Sequence, residues 1–107
     1  MIEIRITQLN QFIIKYGDDV LFVSREYTRN ISCVKAIEVM RANIKKNSKC
    51  TLRDNRMSIR GNNNKTVVQT EPHSDCYAIF LKMRNFLGSK EAFYIDRKGD
   101  RIKFDAQ

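Results

Sequence analysis

Histidine occurs once, glycine four times and cysteine three times in this 107-residue chain. Each scarcity removes a class of chemistry. His73 stands beside Pro72 at a predicted helix start, with no serine or cysteine nucleophile at a recognisable spacing, which argues against a catalytic role. So few glycines leave no glycine-rich phosphate loop, and neither an EF-hand nor an HExxH pattern occurs. Cys33, Cys50 and Cys76 are odd in number and show no CxxC spacing. That disfavours a disulfide framework and a zinc site. All three fall on expected apolar faces as small buried hydrophobes, and they predict a reducing, cytoplasmic setting. The opening MIEIRITQLN alternates instead of forming a signal peptide, and no apolar run approaches membrane-spanning length. Acidic residues are scattered, with no pair placed for acid–base or two-metal work. The expectation is a binding protein without catalytic residues, metal or cofactor, and with no membrane partner.

Acid is also scarce relative to base, at 12 Asp and Glu against 20 Lys and Arg, for a net charge of +8. The excess is concentrated. Residues 41–65 hold eight basic side chains (Arg41, Lys45, Lys46, Lys49, Arg53, Arg56, Arg60, Lys65) and one acid, Asp54. Residues 1–40 balance at five and five, and residues 66–107 carry seven basic and six acidic. A sequence pI near 9.7 points first to nucleic acid or another anionic surface.

Within the basic middle, Asp54-Asn55 suits a tight two-residue turn, since both residues tolerate left-handed backbone. Folding there pairs Arg53 with Arg56, Leu52 with Met57, Thr51 with Ser58, Cys50 with Ile59 and Lys49 with Arg60. One face is then apolar. The other carries Lys49, Thr51, Arg53, Arg56, Ser58 and Arg60, with like charges directly opposed, at a cost of up to about 1 kcal/mol per pair. An anion relieves such a face, and phosphate suits Arg forks and hydroxyls. The alternative is a solvated edge strand that uses Lys and Arg against aggregation. The closing segment Glu91–Phe104 reads as a second hairpin turning at Lys98-Gly99. Its expected pairs Arg97–Asp100 and Asp96–Arg101 oppose unlike charges, as stability alone would select.

The rest of the chain is read from periodicity and turn residues. Ile2, Ile4 and Ile6 mark a half-buried strand, Gln11–Tyr16 a second and Val20–Ser24 a third. A helix follows over about 31–45, capped by Asn30 or Ser32, with Val34, Ile37, Met40 and Ile44 as its stripe. Lys45 and Lys46 would close its last turn against the helix dipole. Gly61–Asn64 is a loop and Thr66–Thr70 a strand. A second helix starts at Pro72 or Ser74 and runs to Leu87, with Gly88 as its cap. Tyr77, Phe80, Met83 and Leu87 would face the sheet. Ile79 and Phe86 are left over, either covered by the closing hairpin or forming a partner or homodimer interface.

Aligning Cys33 with Cys76 lays Met40-Arg41 on Met83-Arg84. The order strand–strand–strand–helix then occurs twice, over about 1–47 and 48–88, with a hairpin over 89–105. The expectation is a single α+β domain over 1–107, with antiparallel sheet and both helices on one side. The first repeat resembles the YegP-like family of small, uncharacterised bacterial proteins. The likeness lies over roughly 11–43, in Gln11-Phe12, Gly17, Ser24, Tyr27-Thr28, Ser32, Ile37 and Met40-Arg41 followed by Asn43. It implies tandem strand–strand–strand–helix repeats. Asp18-Asp19 stands where that family usually has Asn-Gly, and the second repeat lacks the Ser-x-x-Tyr element.

The functional expectation is nucleic-acid binding, DNA or RNA, through phosphate contacts from Lys49, Arg53, Arg56 and Arg60, with field added by Lys45, Lys46 and Lys65. Few aromatics interleave with these charges, so readout by base stacking is not expected from them. About five phosphate contacts would give a log–log salt slope near −4.5 on duplex DNA. The alternative is a protein-interaction module that docks on an acidic surface of a host enzyme or assembly. The short length and the abundance of Asn, Lys and Ile would suit a phage or mobile-element product.

Overall fold

A computed structural model of the chain describes residues 1–104; Asp105, and with it the last residue expected in the closing hairpin, lies outside the described residues. Three strands, β1 (Ile2–Ile6), β2 (Phe12–Tyr16) and β3 (Asp19–Val23), lead into helix α1 (Asn30–Asn43). After a 3-10 turn at Asn47–Lys49 the order repeats with β4 (Cys50–Arg53), β5 (Arg56–Arg60), β6 (Thr66–Gln69) and helix α2 (Cys76–Gly88). Strands β7 (Phe93–Ile95) and β8 (Arg101–Lys103) close the chain. The α+β class and the doubled order of elements are therefore those expected.

The strands divide between a five-stranded sheet, β3-β2-β1-β7-β8, and a three-stranded sheet, β4-β5-β6. All neighbours are antiparallel except β1 and β7, which run parallel through Arg5 and Ile95. Alternation along each strand makes one face apolar. Ile2, Ile4, Ile6, Phe12 and Ile14 from the larger sheet join Met57, Ile59 and Val68 from the smaller in one buried cluster. Both helices pack against β5, and α2 also reaches β1. They cover the side of β5 that carries Met57 and Ile59, and among the described residues no helix lies over the opposite side.

The helix stripes differ in detail from those expected. On α1, Cys33, Ile37, Met40 and Asn43 are buried. On α2 the buried residues are Cys76, Ile79, Phe80, Met83 and Leu87. Phe80, Met83 and Leu87 are thus buried as expected, but Cys76 and Ile79 join them and Tyr77 is left 65 % exposed. Neither helix has a side-chain cap at its start; the N-cap positions are Arg29 and Asp75. Gly88 lies inside α2, not in a left-handed cap. An added Cβ there would meet the Lys45 Cε at 3.5 Å.

The repeat is visible as paired contacts. Arg41 Nε donates to the Leu87 carbonyl at 2.8 Å, and Arg84 Nε donates to the Ile44 carbonyl at 3.0 Å. Each arginine thus satisfies an orphan carbonyl at the C-terminal end of the other helix, where positive charge is favoured. A second pair lies at the strand ends. Buried Ser24 accepts from Phe12 N at 2.8 Å, and buried Thr70 accepts from Met57 N at 3.0 Å. Ser24 N and Thr70 N donate back to the same two residues.

The closing hairpin has a different register from the one expected. Phe93 faces Lys103, Tyr94 faces Ile102 and Ile95 faces Arg101. The loop spans three residues, 97–99, because Gly99 takes a φ of +89° and Asp96 Oδ1 accepts from the N–H groups of Lys98 and Asp100. The expected charge pairs Arg97–Asp100 and Asp96–Arg101 therefore do not form across it. Arg101 lies over the Phe93 ring at 4.7 Å, Arg97 donates to Asn10 Oδ1, and Lys103 pairs with Glu91 at 3.1 Å.

Candidate nucleic-acid interface

The central hairpin has the register read from its turn. Arg53 faces Arg56, Leu52 faces Met57, Thr51 faces Ser58 and Cys50 faces Ile59. Asp54 and Asn55 supply the left-handed turn, with φ of 55° and 60°. Met57 and Ile59 are buried, whereas Leu52 is 38 % exposed because β4 is an edge strand. Alternation sends Thr51 and Arg53 outward on β4, and Arg56, Ser58 and Arg60 outward on β5. On β6 a bulge alters the pattern. Ile59 pairs with Val68 but Arg60 pairs with Thr66, so Val67 is the extra residue. The bulge turns Thr66 to the outer face beside Arg60.

These side chains line a depression of about 680 Å³ on the outer face, with Gln69, Pro72 and Asp54 completing its rim. Arg60 is held within it. Its two terminal nitrogens donate to Thr51 Oγ1 at 2.8 Å and to the Ser48 carbonyl at 2.7 Å. Both acceptors are neutral, so no carboxylate offsets the guanidinium, and it is fixed in orientation. The side chains of Arg53 and Arg56 have no hydrogen bond or ion pair among the described residues. The ion pairs found there, Arg5–Glu3 and Lys103–Glu91, lie elsewhere, as does the contact of His73 with Asp19. Edge protection accounts for basic residues on β4. It does not account for Arg56, which stands on the central strand of the sheet.

Of the cations singled out in the sequence, Arg53, Arg56 and Arg60 are brought together. Lys49 lies in the 3-10 turn outside the depression and donates to Asn64 Oδ1 at 2.7 Å. Lys45 and Lys46 follow the end of α1 instead of closing its last turn, and they do not line the depression. Lys65 lines a neighbouring one, of about 480 Å³, that shares Thr66. The expected partner interface of Ile79 and Phe86 is corrected by packing. Ile79 is 1 % exposed, and Phe86 sets its ring edge-on to Phe93 at 5.7 Å. Phe93 of the closing hairpin thus packs on Phe86, while Ile79 lies in the buried core cluster.

Sequence reasoning missed Arg25, Tyr27 and Lys35. They flank the neighbouring depressions together with Asn63, Lys65 and Val67. Arg25 lies over the Tyr27 ring at 4.4 Å. The spacing Arg25-x-Tyr27 was the available signal, but only the fold sets it beside Lys65. His73 is less exposed than expected. Its Nδ1 accepts from Asp75 N at 3.0 Å, so Nε2 donates to Asp19 at 3.1 Å. His73 N also donates to the Asn55 carbonyl, which ties the turn of the basic hairpin to the strap before α2. Burial pushes the Cys33 thiol up to about 11 and raises those of Cys50 and Cys76, so none is poised as a thiolate. No helix among the described residues is long and apolar enough to cross a membrane, and no metal-binding cluster occurs among them.

No protein-family model and no curated protein matches the chain. Among solved structures it is similar to the solution NMR structure of UPF0339 protein SO3888 from Shewanella oneidensis, at a TM-score of 0.57 and 15 % identity. The match covers 90 % of this chain and 87 % of that one. UPF0339 is the YegP-like family whose repeat residues 11–43 resemble. At this identity the likeness shows a shared fold, and it extends that fold over both repeats.

Proposed function

We propose that the protein binds nucleic acid through the outer face of the three-stranded sheet, with phosphate oxygens taken by Arg53, Arg56 and Arg60. The observation that supports this reading best is the Arg53–Arg56 pair, directly opposed across β4 and β5 with no carboxylate partner among the described residues. Thr51, Ser58, Thr66 and Gln69 surround the guanidiniums as neutral hydrogen-bond groups, as phosphate contacts require. Pre-orientation of Arg60 lowers the ordering cost of one contact. Binding is of the backbone-directed kind and acts in the cytoplasm. With four cations in reach (Lys65 included), the log–log salt slope is about −3.6 on duplex DNA and about −2.8 on a single strand. Fluorescence anisotropy across a salt series measures it; a slope near zero contradicts the reading.

A second reading is favoured by one surface. Leu52, Tyr77 and Leu81 are exposed around a depression of about 370 Å³ that also touches Phe80 and Arg84. Beside it runs the free edge of β4. This suits an extended acidic segment of a partner protein. A pull-down that retains one protein after nuclease treatment, and loses it in Leu81→Glu, would replace the first reading with this one.

A further inference from the structure

The three depressions around β6 are contiguous. The arginine face shares Thr66 with the depression that holds Lys65, and that one shares Arg25, Tyr27, Asn63 and Val67 with the next, which ends at Lys35 on α1. A path therefore leaves the outer sheet face, crosses the β6 edge and enters a groove between α1 and the Gly61–Lys65 loop. Arg25, Lys35 and Lys65 have no carboxylate partner among the described residues, so the path is cationic along its length. Its groove end differs from its sheet end. The sheet end offers guanidiniums and hydroxyls, whereas the groove end offers the Arg25 guanidinium over the Tyr27 ring, 4.4 Å from guanidinium carbon to ring centre.

The loop that walls the groove is held in shape. Gly61 N donates to the Lys65 carbonyl at 2.8 Å and Asn64 N to the Gly61 carbonyl at 3.0 Å. Buried Asn43 donates to the Arg60 carbonyl at 2.8 Å and to Asn62 Oδ1 at 3.3 Å, which ties the loop to α1 and to β5. The side-chain oxygens of Asn62 and Asn63 are both used as acceptors within the protein. Their amide N–H groups are donors at the groove wall.

Resting on the phosphate-binding reading above, we infer that the nucleic acid is single-stranded, that it crosses the β6 edge, and that it stacks an unpaired base on the Arg25–Tyr27 platform. A duplex presents phosphates and base edges. Only an unstacked base presents a face to an arginine plane or an aromatic ring. Exposed Arg25 covers the tyrosine, so the base meets the guanidinium plane, with the ring behind it as support.

The test uses the intact protein and three probes in fluorescence anisotropy: an oligothymidylate of about 12 nucleotides, an abasic strand with the same number of phosphates, and a duplex. Arg25→Lys keeps the charge and removes the plane; Tyr27→Leu removes the support. Each is expected to weaken oligothymidylate binding about tenfold and to leave the abasic strand unchanged. Tyr27 also packs on the core, so exposed Arg25→Lys keeps the test valid if Tyr27→Leu unfolds. Equal losses on both single strands, no loss on either, or duplex binding as tight as the oligothymidylate would overturn the inference. So would a polyglutamate of equal charge that binds as well as the oligothymidylate. Arg53→Glu with Arg56→Glu separates the two levels. If that variant weakens every probe, the sheet reading stands whatever becomes of the platform; if it weakens none, the sheet reading itself has failed.

Discussion

The outer faces of the two sheets are built from equivalent strands of the two repeats, yet they treat charge in opposite ways. On the larger sheet Glu3 stands directly opposite Lys15 and accepts an ion pair from Arg5 at 3.2 Å. On the smaller sheet Arg53 stands opposite Arg56, and among the described residues Asp54 at the turn is the one acid lining that face. The scaffolds beneath are alike, down to the exchanged Arg41 and Arg84 contacts and the paired Ser24 and Thr70. A shared fold therefore does not require the arginine face. Where one repeat neutralises its outer surface, the other leaves it cationic at a cost in stability, which is the pattern expected of a surface kept for an external anion.

That comparison can be broken at the scaffold or sharpened at the faces. The largest effects belong to the scaffold. Arg41→Ala and Arg84→Ala should each cost about 2–3 kcal/mol, because each removes a charged hydrogen bond to a carbonyl at a helix end. Urea denaturation measures both; widely unequal losses would show that the repeats are not equivalent. Ser24→Ala and Thr70→Ala come next, at about 1–2 kcal/mol each, from the buried backbone N–H of Phe12 or Met57 left unpaired.

The smallest effects concern the faces and carry opposite signs. Arg56→Thr should stabilise the protein by up to about 1 kcal/mol, since it ends a like-charge pair and suits a strand. Arg101→Thr should destabilise it by about 0.5–1 kcal/mol, since it removes the cation over Phe93. If Arg56→Thr instead destabilises by as much as Arg101→Thr, the arginine face has a structural role and the contrast disappears.

Local chemistry was legible in the sequence and long-range placement was not. Asp54-Asn55 admits one tight turn, so the register of β4 and β5 followed from it residue by residue. Lys98-Gly99 looked similar but misled. Gly99 takes the left-handed position at the third place of a longer loop, and Asp96 folds its carboxylate over that loop, which shifts every pair by one. The parallel contact of β1 with β7 joins segments about ninety residues apart, and no local pattern reports it. The orientation of α2 was ambiguous because its apolar residues cover more than one side. Packing decided for Ile79 over Tyr77. Of the candidate site, Arg53, Arg56 and Arg60 could be read from alternation alone. Arg25 and Tyr27 could not, because they lie in a stretch whose charges balance and meet Lys65 only in the folded chain.

The central claim is that charge on one sheet face, and not charge in general, recruits the ligand. The direct measurement is anisotropy of a labelled oligonucleotide with two variants of equal net charge, Arg53→Glu with Arg56→Glu and Arg5→Glu with Lys98→Glu. The account predicts that the first loses at least about tenfold in affinity and flattens the salt slope by about two contacts, while the second stays near the unmodified protein. Equal losses in both variants would mean that net charge alone drives binding, and would contradict the claim.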